Sequence, residues 1–272
     1  MTYDLAGADA GAVLGTALAI KLVAYVAAAP VISALADRVP RKVLLVGADA
    51  IRAAVALIHR ITAVARVMVG RPVLRGLLAM NMVVAAATAL VVVNTVVYVR
   101  DLLGGSNTGV AVALGCFGGG SMLVALTLPR LLVAAEDRRV MLAGSAILPV
   151  GLAAATLMLF ASPAPSVGWV LLAGIWIVLG AGTSMINTPS ARLLRYESDE
   201  QDRSAVFTAQ FSLSHACFIV TYPLAGWAGA QVGQVTAAVA LTVLATLAGS
   251  VAARAWPART APLVEAVVAG RR

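Results

Sequence analysis

The chain has 272 residues, 61% of them hydrophobic and 12% charged, where charged residues make up about a quarter of an ordinary soluble domain. That balance excludes a soluble globular class and places the chain in a membrane. The net charge of +8 comes from bases scattered between apolar runs, with no basic patch interleaved with aromatics, so nucleic acid is not an expected partner.

An α-helix crossing the roughly 30 Å hydrocarbon core needs about 20 mostly apolar residues, and helices satisfy every backbone polar group there. Residues 1–10 carry Asp4 and Asp9 in place of a basic n-region, and the apolar run after them is longer than an h-region, so no cleavable leader is expected. The first predicted span covers about 11–36. Lys21 lies about a third of the way into it, with Tyr25 one turn on. Two readings of Lys21 stand: a substrate or counter-ion contact facing the bundle, or a side chain snorkelling to the headgroups.

Where that run stops, the stretch "SALADRVPRKVLL", 33–45, sets one acid among three bases. The segment after it, 43–58, is short for a span and is interrupted by Asp49 and Arg52, three residues apart and able to pair on one helical face. His59 beside Arg60 reads as interfacial. Six further spans are predicted at about 76–99, 109–133, 140–160, 167–189, 204–229 and 232–253, joined by brief polar or Pro/Gly-rich connectors. Cys116 and Cys217 fall in separate spans without metal-ligand or secretory spacing and read as core residues.

Polar residues inside the spans are the candidate pathway. Asn81, Thr88 and Thr95 recur every seven residues; Thr183, Asn187 and Ser190 lie within a turn or two of one another. Thr208, Ser212, His215 and Tyr222 fall within about 80° of arc at 100° per residue, which makes them the strongest cavity-lining stripe. His215 is either a proton carrier or an interhelical hydrogen-bonding residue. Gly11 and Gly15, Gly115 and Gly119, and Gly229 and Gly233 have the spacing that permits close helix approach, the last pair astride a connector. Pro30, Pro189 and Pro223 are predicted kinks. No nucleotide-binding loop, metal-ligand cluster or nucleophile–base pair is present, so neither an enzyme nor a cofactor is expected.

Lys and Arg near span ends mark the cytoplasmic side. If the span at 76–99 runs outward, the inner connectors and tail hold Arg130, Arg138, Arg139, Arg192, Arg195, Arg203, Arg254, Arg259, Arg271 and Arg272, against Arg100 outside. The C-terminus is then cytoplasmic. A crossing at 43–58 would invert this order, so 43–66 is predicted to be an interfacial or re-entrant helix.

Residues 33–42 resemble the signature between the second and third helices of major facilitator superfamily transporters, G-x-x-x-D-R-x-G-R-R/K: Asp37, Arg38, Arg41 and Lys42 match, while Ser33 and Pro40 stand at its glycines. "NTVVYVR", "GSMLVALTLPRLL", "INTPSARLLR" and "AQFSLSHACFIVTYPLAGW" are similar to the seventh to eleventh helices of bacterial efflux-type members. The resemblance implies an all-α, polytopic membrane bundle: 1–60 a remnant of the N-terminal lobe, 61–75 a junction, 76–256 a six-span C-terminal lobe and 257–272 a cytosolic tail. The first helix, the fourth to sixth and the central loop of the family have no counterpart here. It also implies a bacterial inner-membrane protein exporting a small molecule by alternating access, with the bilayer as its surroundings. The alternative is a remnant or half-transporter that needs a second copy or a complementary half. Asp37, Arg38, Arg41 and Lys42, with Asp49 and Arg52 on the next helix, would form a charged latch between conformations; the plainer reading makes the bases topological anchors. Lys21, Tyr25, Asn81, Thr88, Thr95, Asn187, Thr208, Ser212, His215 and Tyr222 would line the substrate or proton pathway.

Overall fold

The computed structural model describes residues 70–134, 136–198, 200 and 203–256, together with 15, 16, 18–23 and 26 of the first predicted span. The charged knot at Asp37, Arg38, Arg41 and Lys42, the segment 43–58 with Asp49 and Arg52, and Tyr25 lie outside the described residues.

Six long helices follow one another, and no strand occurs among the described residues. Helix α1 spans Pro72–Val97 and runs on through a π turn at Tyr98–Leu102. Next come α2 at Asn107–Ala134, α3 at Asp137–Ala161 and α4 at Pro165–Tyr196. Helix α5 at Arg203–Pro223 continues through a π turn at Leu224–Ala228 into Gly229–Gln231, and α6 spans Gln234–Ala255. All six are long and apolar enough to cross a membrane. Several ends carry local signals: proline stands in the first turn of α1 and α4, where its missing N–H costs nothing. Gly233, at φ 111°, makes the tight joint into α6 that a side chain would strain.

Helix α1 is apolar on every side, which suits a helix surrounded by others. Accordingly 72% of its most apolar stretch is buried, against 17% for α2 and 22% for α5. The packing order runs α2, α4, α3, α6, α1, α5, and α1 also touches α2, α3 and α4. This order has an internal symmetry. Exchanging α1 with α4, α2 with α5 and α3 with α6 maps the α2–α4 packing onto α5–α1 and the α3–α4 packing onto α6–α1, and leaves α3–α6 in place.

The closest approaches are made by glycines, though not by the pair the spacing favours. A Cβ at Gly120 of α2 would overlap the Ile177 carbonyl of α4, and one at Gly180 of α4 would overlap the Phe117 carbonyl of α2, so each glycine admits the other helix's backbone. Gly115 and Gly119 face open space instead, because they lie on the side of α2 turned away from α4. Gly15 does pack closely: a Cβ there would lie 2.8 Å from the Tyr222 carbonyl oxygen and 3.3 Å from Gly226 Cα. The first predicted span therefore flanks the π turn of α5, an approach also held by the Trp227 indole, which donates to Thr16 Oγ1 at 2.8 Å.

One end of the bundle gathers arginines and ties helix ends together. Arg192 of α4 donates through Nε to Asp137 of α3 at 2.9 Å, and both Nε and a terminal nitrogen of Arg138 reach the Trp256 carbonyl that closes α6, at 3.1 and 2.9 Å. Arg71 donates to the Glu197 carbonyl just beyond α4. Arg75, Arg130, Arg139, Arg195, Arg203 and Arg254 stand at the same end, whereas at the opposite end Arg100 donates to Asn107 at 2.5 Å.

A candidate polar seam between α1 and α5

Polar side chains bridge α1 and α5 within the apolar bundle. The buried face of α5 repeats at Val206, Gln210, Leu213, Cys217 and Thr221, spacings of three and four that keep them on one side of the helix. Gln210 sits in this row and donates from Nε2 to Asn81 Oδ1 of α1 at 3.1 Å. Farther along, Asn94 donates from Nδ2 to the Ala225 carbonyl at 3.1 Å and to Gln234 Oε1 of α6 at 2.5 Å. The acceptor at Ala225 lies in the π turn after Pro223. Proline lacks the N–H of the regular helix and a π turn shifts the bonding register, so carbonyls there need partners from elsewhere.

Six buried side-chain atoms have no hydrogen-bond partner among the described residues: Asn81 Nδ2, Asn94 Oδ1, the Tyr98 hydroxyl, Gln210 Oε1, Ser212 Oγ and Thr221 Oγ1. Three belong to α1 and its π turn and three to α5. Such atoms cost roughly 1–3 kcal/mol each when left unpaired. Asn81, Asn94, Gln210 and Thr221 carry theirs along the α1–α5 seam, whereas Ser212 lies on the far side of α5 and the Tyr98 ring packs edge-on to Trp176 of α4.

The structure separates residues that sequence spacing groups. Asn81 faces α5, but Thr95 faces α4, where its Oγ1 accepts the Trp176 indole N–H at 2.8 Å; Thr88 is half-buried between them. A helix enclosed on all sides presents its polar residues to different neighbours, and a seven-residue repeat does not bring them to one cavity. Thr208, Ser212, His215 and Tyr222 do share a face of α5, on the side opposite Gln210 and Cys217. His215 there donates from Nδ1 to the Phe211 carbonyl at 2.8 Å and stacks on the Phe211 ring at 4.1 Å between centroids. Tyr222 is buried, while Thr208 and Ser212 are partly exposed. Asn187 is exposed, its carbonyl accepting from Ser190 at 2.6 Å. Thr183 is buried on the Leu179 carbonyl. Lys21 is exposed on the first span. The residues missed from sequence are Asn94, Gln210 and Gln234, all amides inside or beside apolar runs, the same signal that singles out Asn81. No group of three or more metal-ligating side chains occurs among the described residues.

The chain was compared with known protein families, with curated proteins and with solved structures, and nothing matches in any of the three.

Proposed function

We propose that this chain is a secondary transporter of the major facilitator type, moving a small molecule across a bacterial inner membrane by alternating access, with the α1–α5 seam as part of its pathway. The observation that carries the proposal is the row of unpartnered buried polar side-chain atoms on Asn81, Asn94, Gln210 and Thr221, which lie on α1 and on the face of α5 that carries Gln210. A purely structural bundle gains nothing from such atoms, whereas a pathway that opens to water and solute needs them. The exchange symmetry supports the same reading. Each half has three helices, so when all six cross, the second half begins on the opposite side of the membrane, the inverted repeat on which many transporters rock. Pro223 and the π turn after it give α5 a place to bend.

The test is labelling of single cysteines in a background without Cys116 and Cys217. Cysteines at Gln210 and Thr221 are expected to react with a membrane-impermeant maleimide from either side, in right-side-out and in inverted vesicles, while one at Leu157, on the outer face of α3, stays protected by lipid. Reaction from one side alone, or uniform protection, would remove the transport reading.

A second reading is favoured by the poor cover of α2 and α5, the two least buried helices: a half-transporter completed by a second copy or a complementary half. Cross-linking of the same cysteine variants in native membranes separates it from a working monomer.

A further inference from the structure

Through the six helices the chain carries no Asp, Glu, Lys or Arg at 76–99, 102–129, 140–191 or 204–253. His215 is the lone basic or acidic side chain in those stretches, and it lies on the face of α5 turned away from Gln210. A charged solute in the seam would therefore lose its hydration with no counter-charge from these helices, which is costly in a low-dielectric interior. Neutral solutes escape that penalty but still need partners for their polar edges.

The Asn81–Gln210 pair defines what kind of edge. Two primary amides can pair through two antiparallel N–H···O bonds, yet here one is made, Gln210 Nε2 to Asn81 Oδ1 at 3.1 Å. The other donor, Asn81 Nδ2, and the other acceptor, Gln210 Oε1, are buried and unpartnered; Asn81 is only 5% exposed. One free N–H and one free C=O on two amides already bonded to each other are complementary to a group that itself offers a C=O and an N–H. We infer that the seam accepts an uncharged solute bearing an amide-type donor–acceptor edge, a carboxamide, lactam or urea, read by Asn81 Nδ2 and Gln210 Oε1. This rests on the transport reading above. A carboxylate offers two acceptors and no donor, and an ammonium offers donors and no acceptor, so each leaves one seam atom unmet besides bringing charge.

Three probes built on one phenyl ring separate these chemistries: benzamide, benzoate and benzylammonium. Thermal unfolding of the purified full-length protein, followed by tryptophan fluorescence, is expected to shift upward by roughly 2 °C or more with benzamide, rising with concentration, and not with the two ions. The shift is expected to vanish in Asn81→Leu/Gln210→Leu, which removes both partners together, and in Gln210→Met, which keeps the side-chain length and removes the acceptor should the double variant not fold. A shift with benzoate or benzylammonium as large as with benzamide, no shift with benzamide, or a benzamide shift surviving in the variants would each overturn the inference. Cysteine labelling from both sides together with no benzamide shift would sink the solute class alone and leave the transport reading standing.

Discussion

Asn94 stands in a helix of Val, Ala and Leu and makes two bonds that no neighbouring residue could make, one to a carbonyl in the π turn of α5 and one to Gln234 at the start of α6. Removing it orphans the buried Ala225 carbonyl, and an unmet buried polar group costs roughly 1–3 kcal/mol, although measured interhelical hydrogen bonds in membranes average closer to 0.6 kcal/mol. Asn94→Leu is therefore expected to destabilise by about 1–2 kcal/mol, while Thr88→Val, half-buried and near in size, changes stability little. Unfolding in mixed micelles measures both, and equal losses would mean that packing rather than hydrogen bonding sets the cost at this joint. Thr95→Val should resemble Asn94→Leu, since it leaves the fully buried Trp176 indole without an acceptor.

At the scale of helices, the contacts between α2 and α4 turn on two glycines that face each other's backbone. Gly120→Leu or Gly180→Leu must push the helices apart and is expected to cost several kcal/mol, as overpacking does at sites that cannot relax. Gly115→Leu and Gly119→Leu, with open space before them, should be tolerated. A lower unfolding temperature for the second pair than for the first would show that the outer face of α2 is covered in the membrane. The contrast also explains what was legible in the sequence. The six spans were, because a long uncharged apolar run leaves a helix as the only conformation that closes its own hydrogen bonds. Their ends were less so: α1 begins at Pro72 rather than 76, and α4 runs on to Tyr196 rather than 189. Backbone bonding continues into the interface, where apolar side chains are no longer required. Asn81 is legible as a polar residue in an apolar run while its partner Gln210 is not, and the glycine spacing points to 115 and 119 rather than 120. Spacing fixes which residues share a face; it does not say which face meets a neighbour.

Across the whole molecule, the arginines gather at one end of the bundle. The ends of α2, α4 and α6 and the starts of α1, α3 and α5 share one side of the bundle, and Arg71, Arg75, Arg130, Arg138, Arg139, Arg192, Arg195, Arg203 and Arg254 stand there, against Arg100 on the other. The positive-inside rule predicts that this side faces the cytoplasm. The charges do more than orient, since the Arg192–Asp137 pair and the Arg138–Trp256 bonds clasp three helix ends together. Asp137 and Arg192 are partly exposed, so Asp137→Asn is expected to cost no more than about 1 kcal/mol. The proposed resemblance to major facilitator transporters asks residues 43–58 to cross the membrane and the charge rule opposes it, because a crossing there would put α1 in the opposite direction and carry all nine arginines outside. Asp49 and Arg52 at mid-bilayer would add roughly 2.5–3.5 kcal/mol each on insertion scales before any pairing between them. A reporter fused after Arg71 and another at the C-terminus are therefore both expected to report the cytoplasm. Periplasmic activity at Arg71 would mean that 43–58 crosses after all and that packing within the bundle outweighs the arginines in setting its orientation.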